Sequence, residues 1–126
     1  MAFEFYKAEN DAAPIEKEVV ATDGVTYKHG CTLVYGSAGT VTTTTAKPEF
    51  VYTGKDITAK TGDVLSAMVV LPEYEWITTL SASGSSLKKG WKVTTDGEHA
   101  TATSASGVFE LLTDGGASGS SVVGRF

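Results

Sequence analysis

The side chains that could do chemistry are one cysteine, two histidines and a few closely spaced carboxylates. Cys31 lies two positions after His29, so a strand would point both side chains to the same face. A catalytic cysteine needs a histidine beside it and a third group that orients the histidine. Such a pair of Cys31 with His29 or His99 is geometrically possible, but the apolar neighbours of Cys31 favour a buried, unreactive thiol.

Metal-binding spacings are absent, since the sequence holds neither C-x-x-C nor H-x-x-x-H nor an EF-hand acid ladder. Phosphate-binding glycine loops and the G-x-S-x-G elbow are absent as well. Glu73 and Glu75 form one alternate-position pair that a glycoside hydrolase could use, but we favour a solvated strand edge. We therefore expect no catalytic residue, no cofactor and no metal site, and a protein that is not an enzyme.

Two large aromatic residues, Tyr74 and Trp76, alternate with Glu73 and Glu75 and should face one way on a strand. We favour a core position for both, and also for Trp91, which follows a glycine. The alternative is an aromatic patch at a protein interface or a platform for a sugar ring. One Asn, no Gln and one Arg leave few side chains for bonding sugar hydroxyls.

Short strands must position these residues, because Thr, Gly and Ser dominate the composition. The 126 residues include 18 Thr, 14 Gly and 11 Ser, which favours strands joined by tight turns. We predict an all-β fold, a small β-sandwich or β-barrel of nine to eleven short strands. Twelve segments are candidates for these nine to eleven strands: 17–22, 25–28, 31–35, 40–46, 49–53, 56–59, 64–71, 75–80, 91–95, 98–103, 107–112 and 121–126.

The connections carry turn signals. Asp-Gly pairs at 23–24, 96–97 and 114–115 are typical of type I′ hairpin turns. Residues 64–71 are ambiguous, because Asp63 could cap a short helix there; the β-branched residues favour a buried strand. Residues 113–121 read as an exposed, mobile Gly/Ser loop, followed by an apolar stretch that should dock as a strand.

Charge and hydropathy exclude several classes of protein. The net charge is −5, with a single Arg, which disfavours nucleic-acid binding. No apolar run approaches the ~20 residues of a membrane span, and the first residues lack the pattern of a signal peptide. One cysteine excludes an intramolecular disulfide, so we expect folding in a reducing cytoplasm.

The first residues differ from the rest in charge. Residues 1–23 carry six acids and two bases. We predict that residues 1–14 form an extended N-terminal arm and that 15–126 form a single β domain, so deleting 1–14 should leave a folded domain. The segment holds Phe3, Phe5 and Tyr6, and an arm with aromatics at alternate positions, as at Phe3 and Phe5, can add as a strand to another sheet. A second interpretation is that these aromatics fold back on the domain's own core.

The C-terminal third adds a resemblance. Residues 83–93 read S-G-x-x-L-K-K-G-x-x-V, a T-x-D-G turn follows at 94–97, and V-V-G lies in the last predicted strand at 122–124. The string I-T-A-K-T-G-D-V-L at 57–65 has the same character. This pattern resembles the small head decoration, or capsid cement, proteins of tailed bacteriophages.

That resemblance implies a β-rich, non-enzymatic virion protein made in the host bacterial cytoplasm. It implies binding to the major capsid protein on the outer surface of an expanded shell, as a homo-trimer that bridges neighbouring subunits. By the same resemblance, residues 1–14 would be the docking arm, with Phe3, Phe5 and Tyr6 as apolar anchors. The alternative function is a head-fibre or tail β-domain that binds a carbohydrate or a host receptor.

Overall fold

A computed structural model describes residues 2–126 and contains strands but no helix in that range. The strands in chain order are β1 (Glu4–Ala8), β2 (Glu16–Val20), β3 (Thr26–Tyr27), β4 (Thr32–Tyr35), β5 (Val41–Thr43), β6 (Phe50–Tyr52), β7 (Ile57–Thr58), β8 (Val64–Val69), β9 (Tyr74–Thr79), β10 (Lys92–Val93), β11 (Phe109–Leu111) and β12 (Ser121–Arg125). The predicted all-β class is confirmed.

The strands form three antiparallel sheets. Sheet A has the order β1-β9-β12-β11-β10, and sheet B has the order β2-β8-β6-β4-β5. A third sheet, sheet C, is the pair β3-β7. Sheet B curls until Ala21, just after β2, bridges Val41 in β5, but the sheet does not close into a barrel. Of the two predicted architectures, β-sandwich and β-barrel, the closed barrel is therefore not the one adopted.

The centre of sheet B is buried on both faces because its strands alternate between two cores. In β6, Phe50 and Tyr52 point into one apolar cluster and Val51 into the other. In β8, Ala67 packs in the first of these clusters and Met68 against the second. All three residues of β6 are consequently buried, which a strand with one wet face would not show.

The larger core lies between sheets A and B. Trp76 and Phe109 are fully buried there, together with Val122 from the last strand. The second core lies inside the curl of sheet B, where sheet C covers it with the fully buried Tyr27. The Tyr27 hydroxyl accepts a hydrogen bond from the Thr22 amide at 2.9 Å and donates one to the Val41 carbonyl. This buried polar group is therefore satisfied.

The predicted N-terminal arm is wrong for the residues that carry its aromatics. Phe3 is 1% exposed and its ring packs 5.2 Å from Phe109 and 5.1 Å from Phe126, centroid to centroid. Residues 4–8 form β1, which pairs with β9 at the edge of sheet A. Burial of an apolar ring in the larger core offsets the entropy of ordering the segment, so the second interpretation holds for Phe3 and Phe5, whereas Tyr6 is exposed. Met1 lies outside the described residues.

Several local predictions have mixed outcomes. Residues 64–69 form a strand and not a helix, as favoured, and 121–125 dock in the middle of sheet A. Residues 98–103 form no strand; Ala100 makes only isolated bridges. The prediction of type I′ turns is wrong, because such a turn needs positive φ at both central residues. In the three Asp-Gly pairs, only Gly24 and Gly97 have positive φ, and no Asp does.

The Gly/Ser loop is exposed, as predicted, but it is held by backbone hydrogen bonds. The Gly84 amide donates to the Gly116 carbonyl at 2.8 Å, and the Gly119 amide donates to the Leu80 carbonyl at 2.9 Å. Gly115 packs so closely on this segment that a side chain there would overlap the Gly84 carbonyl. The glycines of this loop therefore allow close backbone contact as well as turning.

Candidate interaction surface

Cys31 and His29 do not form a catalytic pair. Cys31 is buried, and desolvation by burial raises the pKa of its thiol to about 11, from 9.0. His29 is exposed in the turn before β4; its Nδ1 lies 2.8 Å from the Gly54 carbonyl and its Nε2 lies 3.5 Å from the Glu4 carboxylate. A protonated, enclosed thiol is a poor nucleophile, so the predicted unreactive cysteine fits this geometry.

The second histidine belongs to a turn. His99 Nδ1 lies 3.3 Å from Asp96, whose carboxylate also accepts hydrogen bonds from the amides of Glu98 and His99 at 2.9 and 2.7 Å. Burial opposes ionisation of Asp96, but these amides and the neighbouring His99 ring together outweigh it and lower the pKa of the carboxyl. Across residues 2–126, no three His, Cys, Asp or Glu side chains are grouped to hold a metal ion.

The aromatic residues of β9 are core residues, as favoured. Tyr74 is 3% exposed and Trp76 is fully buried, and the Phe5 ring packs edge-on against both, at 5.3 and 5.8 Å. The Tyr74 hydroxyl accepts a hydrogen bond from the Ile15 amide at 3.1 Å. Neither ring can serve as an interface patch or sugar platform. The prediction for Trp91 is wrong: we expected Trp91 in the core, but it is 45% exposed.

Glu73 and Glu75, the two carboxylates next to these aromatic residues, lie in different environments. Glu73 is exposed in the turn before β9, whereas Glu75 lies inside sheet A, 3.4 Å from Arg125. Arg125 also contacts Glu9 at 3.0 Å and thereby fastens the residues after β1 to β12. Glu75 therefore has an ion-pairing role, which differs from the predicted solvated edge.

An apolar cavity of about 370 Å³ opens beside β1. Phe3, Phe5 and Met68 line it, and Glu4 and His29 are its charged neighbours. Nothing around the cavity assembles a nucleophile, a base and an orienting group. Its walls are the meeting point of β1 with sheet B, so it belongs to the packing of the two sheets.

The surface most suited to binding another chain is the open edge of sheet B at β2. Two hydrogen bonds fix the orientation of the strand: the Val69 amide donates to the Ile15 carbonyl at 2.8 Å, and the Ala21 amide donates to the Asp63 carbonyl at 2.9 Å. Odd-numbered residues therefore bond to β8, and the amides and carbonyls of Glu16 and Glu18 point away from it. Unpaired groups of this kind are a template for an added strand.

The other edges of the two large sheets offer less. β5 has three residues and β10 has two. β1 has five residues, but its register slips between Phe5 and Lys7, so Tyr6 bulges out of the ladder. Among residues 2–126, β2 is thus the one five-residue edge strand of sheets A and B that pairs in regular register.

The side chains along β2 are accessible and chemically mixed. Glu16 and Glu18 are exposed, and Val20 is 42% exposed opposite Val64, which is 58% exposed. Lys17 points to the other face, with its ammonium 5.9 Å from the centre of the Phe50 ring. We define the β2 edge surface as Glu16, Glu18, Val20 and Val64. The sequence predicted a strand here, but the alternating charges of Glu16, Lys17 and Glu18 did not indicate that this strand would lie at the edge of a sheet.

No family model matches the chain, and no curated protein sequence matches it. In the part of the chain that the structure describes, no helix is long and apolar enough to cross a membrane.

Proposed function

We propose that this chain is a structural protein of a phage head that binds the outside of an expanded capsid and cements neighbouring shell subunits. The resemblance of residues 83–126 to capsid decoration proteins supports the proposal, and so does the all-β fold. The observation that carries it is the β2 edge surface, where unpaired backbone groups lie beside an exposed valine pair. Such an edge binds a neighbouring chain by adding a strand.

The N-terminal residues contribute to the proposed shell contact differently from a free arm. Phe3 and Phe5 pack on aromatic residues of sheet A, on Phe109 and Trp76 respectively, so these rings are engaged within the chain. Tyr6 remains accessible, with 52% of its side chain exposed at the bulge of β1. Contact with the shell would therefore involve Tyr6 and the β2 edge surface, which lie on the first two strands of the chain.

Cementing follows from selective binding. A protein that binds only the assembled shell adds its binding free energy to the stability of that shell. Many copies repeat the contact, so a modest affinity for each copy suffices. The resemblance further implies trimers at three-fold positions, where each copy would bridge different shell subunits.

The direct test is sedimentation with phage heads. The purified chain is mixed with expanded and with unexpanded heads prepared from the source lysate, and bound protein is measured in the pellet. We expect saturable binding to expanded heads and a higher temperature of head disruption. Equal binding to both kinds of head, or none to either, would overturn the cement role and favour the fibre or tail alternative.

A further inference from the structure

We infer that the β2 edge surface accepts one extended segment of a partner protein that carries two basic side chains two positions apart. The inference deepens the proposed function by stating the chemistry of the partner, and it rests on that function only for the partner's identity as the shell protein. The carrying observation is that Glu16 and Glu18 combine unpaired backbone groups with exposed carboxylates on one face of the strand.

Geometry sets the spacing of the basic residues. A strand added to β2 would exchange hydrogen bonds with the outward amides and carbonyls of Glu16 and Glu18. Residues directly opposite each other across two strands lie on the same face, with Cβ atoms about 4.5–5.5 Å apart. The partner residues opposite the two glutamates are therefore two positions apart, and Arg or Lys there would meet a carboxylate each.

The apolar end of the surface sets the next position. Val20 follows Glu18 on the same face and lies opposite Val64 of β8. A partner residue continuing the alternation would lie beside this pair, so an apolar side chain fits there. Beyond Val20 the edge ends, because Ala21 bridges Val41 where sheet B curls. The occupant is thus a short segment in which the residues opposite Glu16, Glu18 and Val20 are basic, basic and apolar. One residue separates each of these positions from the next.

A second copy of this chain is a poor occupant. Antiparallel self-pairings centred on Glu16, Lys17 or Glu18 would place glutamates opposite glutamates, and the pairing centred on Lys17 would also oppose two ammonium groups. Like charges directly opposite each other are destabilising in a sheet. Edge charges of this kind prevent aggregation through the edge. The same charges favour a basic partner, which makes the edge selective.

The test uses fluorescence anisotropy with the full-length chain and labelled synthetic peptides of about nine residues. The first peptide has Arg, Arg and Val at alternate positions, with Thr between them. A second peptide has the same composition in scrambled order, and a third has Glu in place of both Arg residues. We expect binding of the first peptide, and weaker binding of the other two. Equal binding of the ordered and scrambled peptides would overturn the inference, because it would show charge attraction without strand addition.

Two variants locate the binding. Glu18→Lys should weaken the Arg peptide about tenfold and improve the Glu peptide, since one attraction becomes a repulsion. The matched control Glu73→Lys makes the same charge change at an exposed turn and should leave both affinities unchanged. Loss of binding in both variants would overturn the assignment to β2.

Glu18→Pro separates backbone pairing from charge. The Glu18 amide points outward, so proline removes no bond to β8 and the thermal unfolding temperature should stay near that of Glu18→Ala. Peptide affinity should fall about fivefold further than in Glu18→Ala, through loss of one inter-chain hydrogen bond. Equal affinities of the two variants would refute the added strand. Because no heads are used, failure here leaves the sedimentation result on the proposed function intact.

Discussion

Replacing Phe3 by alanine tests most sharply whether the N-terminal residues belong to the core. Phe3 is 1% exposed, and its ring packs on Phe109 and Phe126. Truncating a buried phenylalanine costs about 3–5 kcal/mol, through lost transfer free energy and a remaining cavity. A chain of this length has an unfolding entropy of roughly 0.26 kcal/mol/K, so the midpoint of thermal unfolding should fall by about 11–19 °C.

The assay is equilibrium unfolding in urea, followed by the fluorescence of the buried Trp76, with a thermal scan in parallel. Tyr6→Ala is the matched control, because Tyr6 lies three positions away with 52% of its side chain exposed. That variant should stay within about 0.5 kcal/mol of the parent chain. Equal stability of the two variants would refute the core position of Phe3 and restore the free arm. By the same reasoning, deleting residues 1–14 should severely destabilise the domain.

Three further perturbations probe the rest of the fold. Because burial raises the pKa of Cys31 to about 11 from 9.0, the parent's free energy of unfolding should fall relative to Cys31→Ala between about pH 9 and 11, by about 2–3 kcal/mol. Parallel pH curves in urea titrations would contradict this. Arg125→Gln should cost about 1–3 kcal/mol, since it leaves the enclosed Glu75 carboxylate unpaired; an unchanged urea midpoint would contradict that role. Gly124→Ala places a methyl 2.7 Å from the Phe109 ring and should cost about 1–3 kcal/mol by calorimetry, whereas a neutral effect would refute the close packing.

Local patterns predicted the strands well because Thr-rich and β-branched runs between glycines have few alternatives to extended structure. Eleven of the twelve observed strands overlap a predicted one, and β1 is the strand that was missed. Its residues are short of β-branched side chains and rich in charge. Only the long-range contacts of Phe3 with Phe109 and Phe126 reveal why the segment is ordered.

The candidate site was harder to predict than the fold. The alternation of aromatic and acidic residues placed Tyr74 and Trp76 on one face of a strand, but it could not distinguish a core face from an interface. The Phe5 ring, which packs edge-on against both residues, makes it a core face. Trp91, which follows a glycine at a predicted strand start, was expected inside and lies outside, because the two-residue β10 ends the sheet beside it. Which strand becomes an edge depends on the order of all strands in the sheet, and a single strand's sequence does not encode it.

The central claim is that this chain coats a phage head. Its most direct measurement is quantitative mass spectrometry of particles purified from the source lysate, with this chain counted against the main shell protein. The proposal predicts a copy number comparable to that of the shell protein, and release of the chain under conditions that leave the shell assembled. A few copies per particle, or none in purified particles, would contradict it.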